Sequence, residues 1–157
     1  MMPVLQQIRG DVRLTRCQSL LLGVNARGRI EVNALETLLR DDQPVFFSEY
    51  RRLARAGKLR SGQHWVFREA TPWLIAGVVR ESAGGITRQR YIESIVLSLL
   101  RYWQDEQLTS LAIAPLCDEP EWEAVRGLLV DQLSALPLPV IVYTSFSPGQ
   151  AVEEPPF

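Results

Sequence analysis

Few side chains of this 157-residue chain stand in a pattern that could do chemistry. His64 is the only histidine and lies inside the run HWVFRE. A general base is one use for it; a strand histidine with a local hydrogen-bond partner is the favoured reading. Cys117 precedes Asp118 where a strand should give way to a helix, and a helix N-terminus can lower a thiol pKa. The adjacent Asp118, Glu119 and Glu121 oppose thiolate formation, which disfavours a nucleophile. Cys17 and Cys117 are too few for a disulfide framework, and neither belongs to a CxxC pair. Arg51, Arg52, Arg55, Lys58 and Arg60 form the densest basic stretch. Phosphate contact is one reading of it, and a solvated helix face the favoured one. Ser82-Ala83-Gly84-Gly85 separates a strand from a helix, where glycines can bring backbone N–H groups against an anion or can simply turn the chain. Spacing leaves both open. Lys58 is the only lysine, so lysine chemistry elsewhere is excluded by counting. The glycine-rich dinucleotide, P-loop, zinc and nucleophile-elbow patterns are all missing from the sequence.

The elements that must position these groups alternate between strand and helix. Val4–Val12 reads as a strand, and Ser19–Asn25 (SLLLGVN) as one buried on both faces. Asn33–Arg40 and Val45–Ala56 read as helices separated by Asp41-Asp42-Gln43-Pro44, the second ended by Gly57. His64–Glu69 and Trp73–Arg80 are strands around the turn Ala70-Thr71-Pro72. From Arg88 to Gln104, Ile92, Ile95, Val96, Leu99, Leu100 and Trp103 form a one-sided apolar stripe, the mark of an amphipathic helix. Ser110–Leu116 is the next strand. Asp118 with Glu121 resembles an acidic capping box opening a helix with inner face Trp122, Val125, Leu128, Leu129 and Leu133. Pro139–Phe146 is the last strand. Such alternation implies an α/β fold whose mostly parallel sheet is covered on both faces. One domain is expected over residues 1–146, with Ser147–Phe157 a flexible tail. A formal charge of −1 gives no strong general affinity for nucleic acid. Without a signal segment or a membrane-length apolar run, a soluble cytoplasmic protein is expected. Neither a metal nor a cofactor is implied.

Taken in order, the motifs resemble the macro domain family, in the branch that contains ADP-ribosyl glycohydrolases. Gly10-Asp11-Val12 is similar to its Gly-Asp-apolar signature, and Val24-Asn25 to the pair closing its second strand. Phe47-x-x-Tyr50 and Ala56-Gly57-Lys58-Leu59-x-x-Gly62 match the helix and turn before the third strand. Tyr91-Ile92-Glu93-Ser94, Leu111–Leu116, Glu121-Trp122-Glu123-x-Val125 and Val140–Tyr143 complete the register. The resemblance implies a three-layer α/β/α macro-domain-like fold with a mixed sheet, and ADP-ribose in a crevice at the strands' C-terminal ends. It implies that Asp11 accepts from the adenine amino group, Val12 lines the base, Asn25 faces the distal ribose and Phe146 lies along the adenine. Gly28 and Ile30 in the first phosphate loop, with Arg80 and Ser82 after the fourth strand, complete the implied ligand-binding set.

The departures bear on activity. Glu31 and Asn33 stand where the family's first phosphate loop has glycines. The second loop is cut to Leu116-Cys117-Asp118-Glu119-Pro120 and has no glycine. Arg80 takes the place of one subgroup's catalytic lysine, and a permanently charged guanidinium is a poor nucleophile. Asp118 is the nearest candidate for that subgroup's catalytic aspartate. Three readings follow: a module binding ADP-ribose, a related nucleotide or an ADP-ribosylated macromolecule; a pseudoenzyme scaffold for a protein partner; or a glycohydrolase using Asp118, or a water placed by Asn25.

Overall fold

The computed structural model describes residues 5–155. Val4, expected to begin the first strand, and Pro156 and Phe157 of the tail lie outside the described residues. The elements run β1 (Leu5–Gly10), β2 (Ser19–Asn25), α1 (Ala34–Asp42), α2 (Pro44–Arg55), β3 (His64–Phe67), β4 (Trp73–Arg80), α3 (Gln89–Tyr102), β5 (Leu111–Ile113), α4 (Glu121–Leu133) and β6 (Val140–Phe146). They build a six-stranded sheet in the order β1-β6-β5-β2-β4-β3, parallel except for the β3–β4 pair.

The alternation in β2 shows how the sequence forces three layers. Leu20, Leu22 and Val24 pack with Leu39, Phe46, Phe47 and Tyr50 of α1 and α2. Leu21 points the other way, into a second cluster with Ile92, Ile95, Val96 and Leu99 of α3 and with Trp122, Leu129 and Leu133 of α4. An apolar run with period two can bury both faces only between two helix layers. The α/β/α architecture follows. In α3 the predicted stripe is the buried face, with Leu100 and Trp103 packed at its edge. His64 pairs through Nε2 with Glu106 at 2.6 Å, a local partner of the kind its strand position suggested. Arg51, Arg52, Arg55, Lys58 and Arg60 are all exposed. Among the described residues no helix is long and apolar enough to cross a membrane.

Three expectations are corrected. Val12 leaves the strand and enters a short 3-10 turn, Val12–Leu14, because the Asp11 carboxylate caps it by accepting from the Arg13 N–H at 3.0 Å. Asp118 does not cap α4: Pro120 stands at that position without a side-chain bond, and only the Asp118 backbone carbonyl accepts from the Trp122 N–H. The segment after Phe146 is packed as far as it is described. Ser147 N–H donates to the Gly10 carbonyl, Asp11 N–H to the Gln150 carbonyl, and Glu154 is only 3% exposed. Its carboxylate accepts from Thr15 Oγ1 at 2.6 Å, Arg16 N at 2.7 Å and Tyr143 Oη at 2.9 Å.

Candidate functional site

A cleft of about 870 Å³ opens at the C-terminal ends of β2, β4 and β6 and in the loop after β5. Parallel strands converge there, and the connections leaving them form its walls, which is where open α/β sheets place ligands. One wall is Ile30–Asn33, between β2 and α1, with the first turn of α1 (Ala34–Glu36); a second is Ala83–Thr87, between β4 and α3; a third is Pro115–Glu119, ahead of α4; Thr144–Phe146 closes the end.

Gly23 makes the third wall possible. A Cβ there would lie 2.6 Å from the Leu116 carbonyl oxygen, so only glycine lets the β5–α4 connection lie against β2. The Leu116 carbonyl then accepts from Arg80 Nη2 at 2.7 Å. Arg80 ends β4 with its side chain almost fully buried. Nε donates to Thr87 Oγ1 at 3.1 Å and Nη1 to Glu31 Oε2 at 2.6 Å. One guanidinium therefore ties all three walls together, using the fixed fork that distinguishes arginine from lysine. Arg80 is also the one basic side chain lining the cleft among the described residues, against Glu31, Glu36, Asp118, Glu119 and Glu121. Burial pushes the Glu36 carboxyl above its ordinary range, and the Glu31 charge adds to that; the bond Glu36 accepts from the Glu31 N–H works against it. Burial also pushes the Cys117 thiol up to about 12, with Glu121 contributing, so it is no nucleophile at neutral pH.

No protein-family model matches the chain, and no curated protein does. Solved structures do. The macrodomain of Thermus aquaticus DarG superposes with a TM-score of 0.80 at 21% identity, covering 90% of this chain and 98% of that one. The macrodomain of Mycobacterium tuberculosis DarG gives 0.78 at 20%, covering 90% and 97%. Thermosipho africanus DarTG, solved in complex with ADP-ribose, gives 0.82 at 20% over 96% of this chain and 43% of that one. The chain has the macrodomain fold.

Within this macrodomain fold the residues singled out from the sequence divide sharply. Ile30, Arg80, Phe146 and Asp118 line the cleft. Asp118 is exposed at its rim. Asp11, Val12, Asn25, Gly28 and Ser82 do not line it. Asn25 is fully buried, and its amide is consumed by the loop that follows. Oδ1 accepts from Arg27 N and Arg29 N, while Nδ2 donates to the Arg29 carbonyl and to Glu31 Oε2. An amide carries two donors and two acceptor sites, so in this structure the side chain is fully engaged within the chain. Gly28, at φ +68°, turns that loop against α2, where a Cβ would meet Ala54 at 2.6 Å. It borders a separate hollow of about 120 Å³ beside Arg29, Arg40 and Arg51. Val12 is wholly buried in the core. Ser82 supports the second wall from behind: its carbonyl accepts from Gly85 N–H, and its Oγ sits 2.9 Å from where a Gly85 Cβ would be.

Asp11 is saturated too. Oδ1 accepts from Arg13 N and Nε, and Oδ2 from Arg13 Nη2 at 2.7 Å and Gly149 N at 2.8 Å. Arg13 in turn lies 5.8 Å from the centre of the Phe146 ring. Burial alone would raise the Asp11 carboxyl, but the Arg13 and Gly149 hydrogen bonds outweigh it and hold the group below its ordinary 3.8. A depressed folded value stabilises the fold above the unfolded value and stops doing so as pH falls through the folded one. Thermal unfolding from pH 7 downward should therefore show the native chain and Asp11→Asn far apart near neutrality and converging below about pH 4. A gap independent of pH would refute that assignment.

Several lining residues carry no site signal in the sequence. Glu31 stands out there only as an acid in a glycine position. Thr87 and Thr144–Phe146 beyond the aromatic ring carried no local signal, because only the sheet brings them to one cleft.

Proposed function

We propose that this chain binds ADP-ribose or a related nucleotide in the cleft at the strand ends, and does not cleave it by lysine chemistry. The observation that carries the reading is the cleft itself. It has nucleotide-scale volume, Arg80 and the Ala83–Thr87 loop in its lining, and a fold shared with a protein solved with ADP-ribose. Arg80 supplies charge-assisted donors where backbone N–H groups of a glycine loop are missing. Calorimetric titration with ADP-ribose should give binding tighter than millimolar, more than about 4 kcal/mol. Weaker binding would remove this reading. Incubation with ADP-ribosylated DNA or protein should release nothing; release abolished by Asp118→Asn would instead establish the glycohydrolase reading.

The five carboxylates around one arginine favour a second reading, a scaffold whose crevice is occupied by its own side chains. Failed ADP-ribose binding together with a co-purifying protein partner would decide for it.

A further inference from the structure

Asn25 and Arg80 end adjacent strands and are registered partners across the β2–β4 pairing. Their side-chain donors converge on one atom, Glu31 Oε2, at 3.0 Å from Asn25 Nδ2 and 2.6 Å from Arg80 Nη1. The donors stand on the sheet. The acceptor stands on Gly28–Asn33, which has no regular structure, next to a fully exposed Val32. Glu31 and Arg80 both line the cleft, and their side chains are only 11% and 9% exposed.

We propose that Asn25 and Arg80 form an oxyanion site of the cleft, and that Glu31 occupies it as an internal anion which a phosphate oxygen must displace. This rests on the nucleotide reading for the source of the phosphate, though the site is defined by its donors alone. The rigid half of the pair is cationic and remains in place when the loop carboxylate leaves. The arriving oxyanion meets a charge-assisted donor and an amide N–H at the strand ends. Glu31 thereby sets how strongly a diphosphate must bind to enter, and selects for ligands that carry an oxyanion at this point. A displaced Glu31 returns to water through the open mouth of the cleft.

Pyrophosphate is the direct probe, because it carries the anion without a nucleoside. Calorimetry should show it binding Glu31→Gln on the order of tenfold or more tighter than the native chain. Adding Arg80→Gln should abolish the gain. A purely structural Glu31 would lose stability on substitution and gain no anion affinity. Equal or weaker pyrophosphate binding by a folded Glu31→Gln overturns the proposal. If that variant does not fold, Glu31→Asp replaces it, its carboxylate held one methylene further back, with a smaller gain expected. In the native chain, excess pyrophosphate should also move the Asn25 side-chain amide resonances; unmoved resonances overturn the proposal as well. ADP-ribose titrated into the same proteins separates the two ideas. Pyrophosphate gain without ADP-ribose binding leaves this site standing and removes the nucleotide reading. ADP-ribose binding with no pyrophosphate gain does the reverse.

Discussion

Replacing Arg80 with alanine should cost about 3–5 kcal/mol of folding stability, because it removes one partner of a buried ion pair and leaves the other. Glu31 would keep only the Asn25 amide, and the Leu116 carbonyl and Thr87 hydroxyl would each lose their Arg80 donor. The loss spreads over three connections at once, so the cleft walls should loosen together. Urea denaturation is the measurement. A loss below about 1 kcal/mol, the scale of an exposed pair, would show that the walls hold without the clamp. Arg80→Lys should recover only part of the loss, since one ammonium cannot reproduce a planar fork on three acceptors. With Glu31→Gln already present, removing Arg80 should cost clearly less than it does alone. That difference is the coupling energy of the pair.

The elements were legible in the sequence because each carries its own periodicity. SLLLGVN is the compact apolar run expected of a strand buried on two sides, and the Ile92–Trp103 spacing places one helix face inward. Both follow from the backbone repeat and need no knowledge of distant partners. The cleft was less legible for a specific reason. A side chain facing a ligand and one closing a turn are chemically identical in a sequence. Asp11 and Asn25 each accept from the N–H two residues ahead, at Arg13 and Arg27, and that is the ordinary habit of Asp and Asn in turns. That local rule was available and points to loop closure, whereas the family likeness pointed to the ligand. Glu31 could be recognised as an acid in the wrong place, but its partner lies 49 residues further along the chain. A buried acid beside a distant arginine becomes visible only when the sheet pairs β2 with β4. Asp118 suffered from the opposite problem. Its sequence signal for a cap was fair, and the short connection ahead of α4 gave it no N–H to hold.

The tail offers the sharpest test of how far a polar, proline-rich composition can mislead. Ser147–Phe157 reads as a flexible tail, yet Glu154 is the hub of a buried polar cluster linking three segments. Its Oε2 accepts from Thr15 and Tyr143, and its Oε1 from the Arg16 backbone. The Thr15 hydroxyl in turn accepts from Cys17 N–H, so the carboxylate reaches into the chain entering β2, which Ser110 also holds through the Gln18 N–H. Burial pushes the Cys17 thiol up to about 11 and holds the Tyr143 phenol well above its ordinary range, with Glu154 adding to both. Glu154→Ala would leave two buried hydroxyls and one part-buried backbone amide without their acceptor. Each such bond to a charged group contributes roughly 1.5–3 kcal/mol. Because Thr15 and Tyr143 share one oxygen, the losses should not add in full, and about 3 kcal/mol is expected by urea denaturation. Glu154→Gln should fall between, since one amide oxygen can serve the hydroxyls but its NH₂ cannot accept from Arg16. Truncation after Phe146 should cost more than Glu154→Ala, because it also removes the Gln150 carbonyl that accepts from Asp11 and the Gly149 N–H that binds its carboxylate. If truncation left the midpoint unchanged, the packed tail would contribute nothing to the fold, and the Asp11 carboxylate would owe its depressed pKa to Arg13 alone.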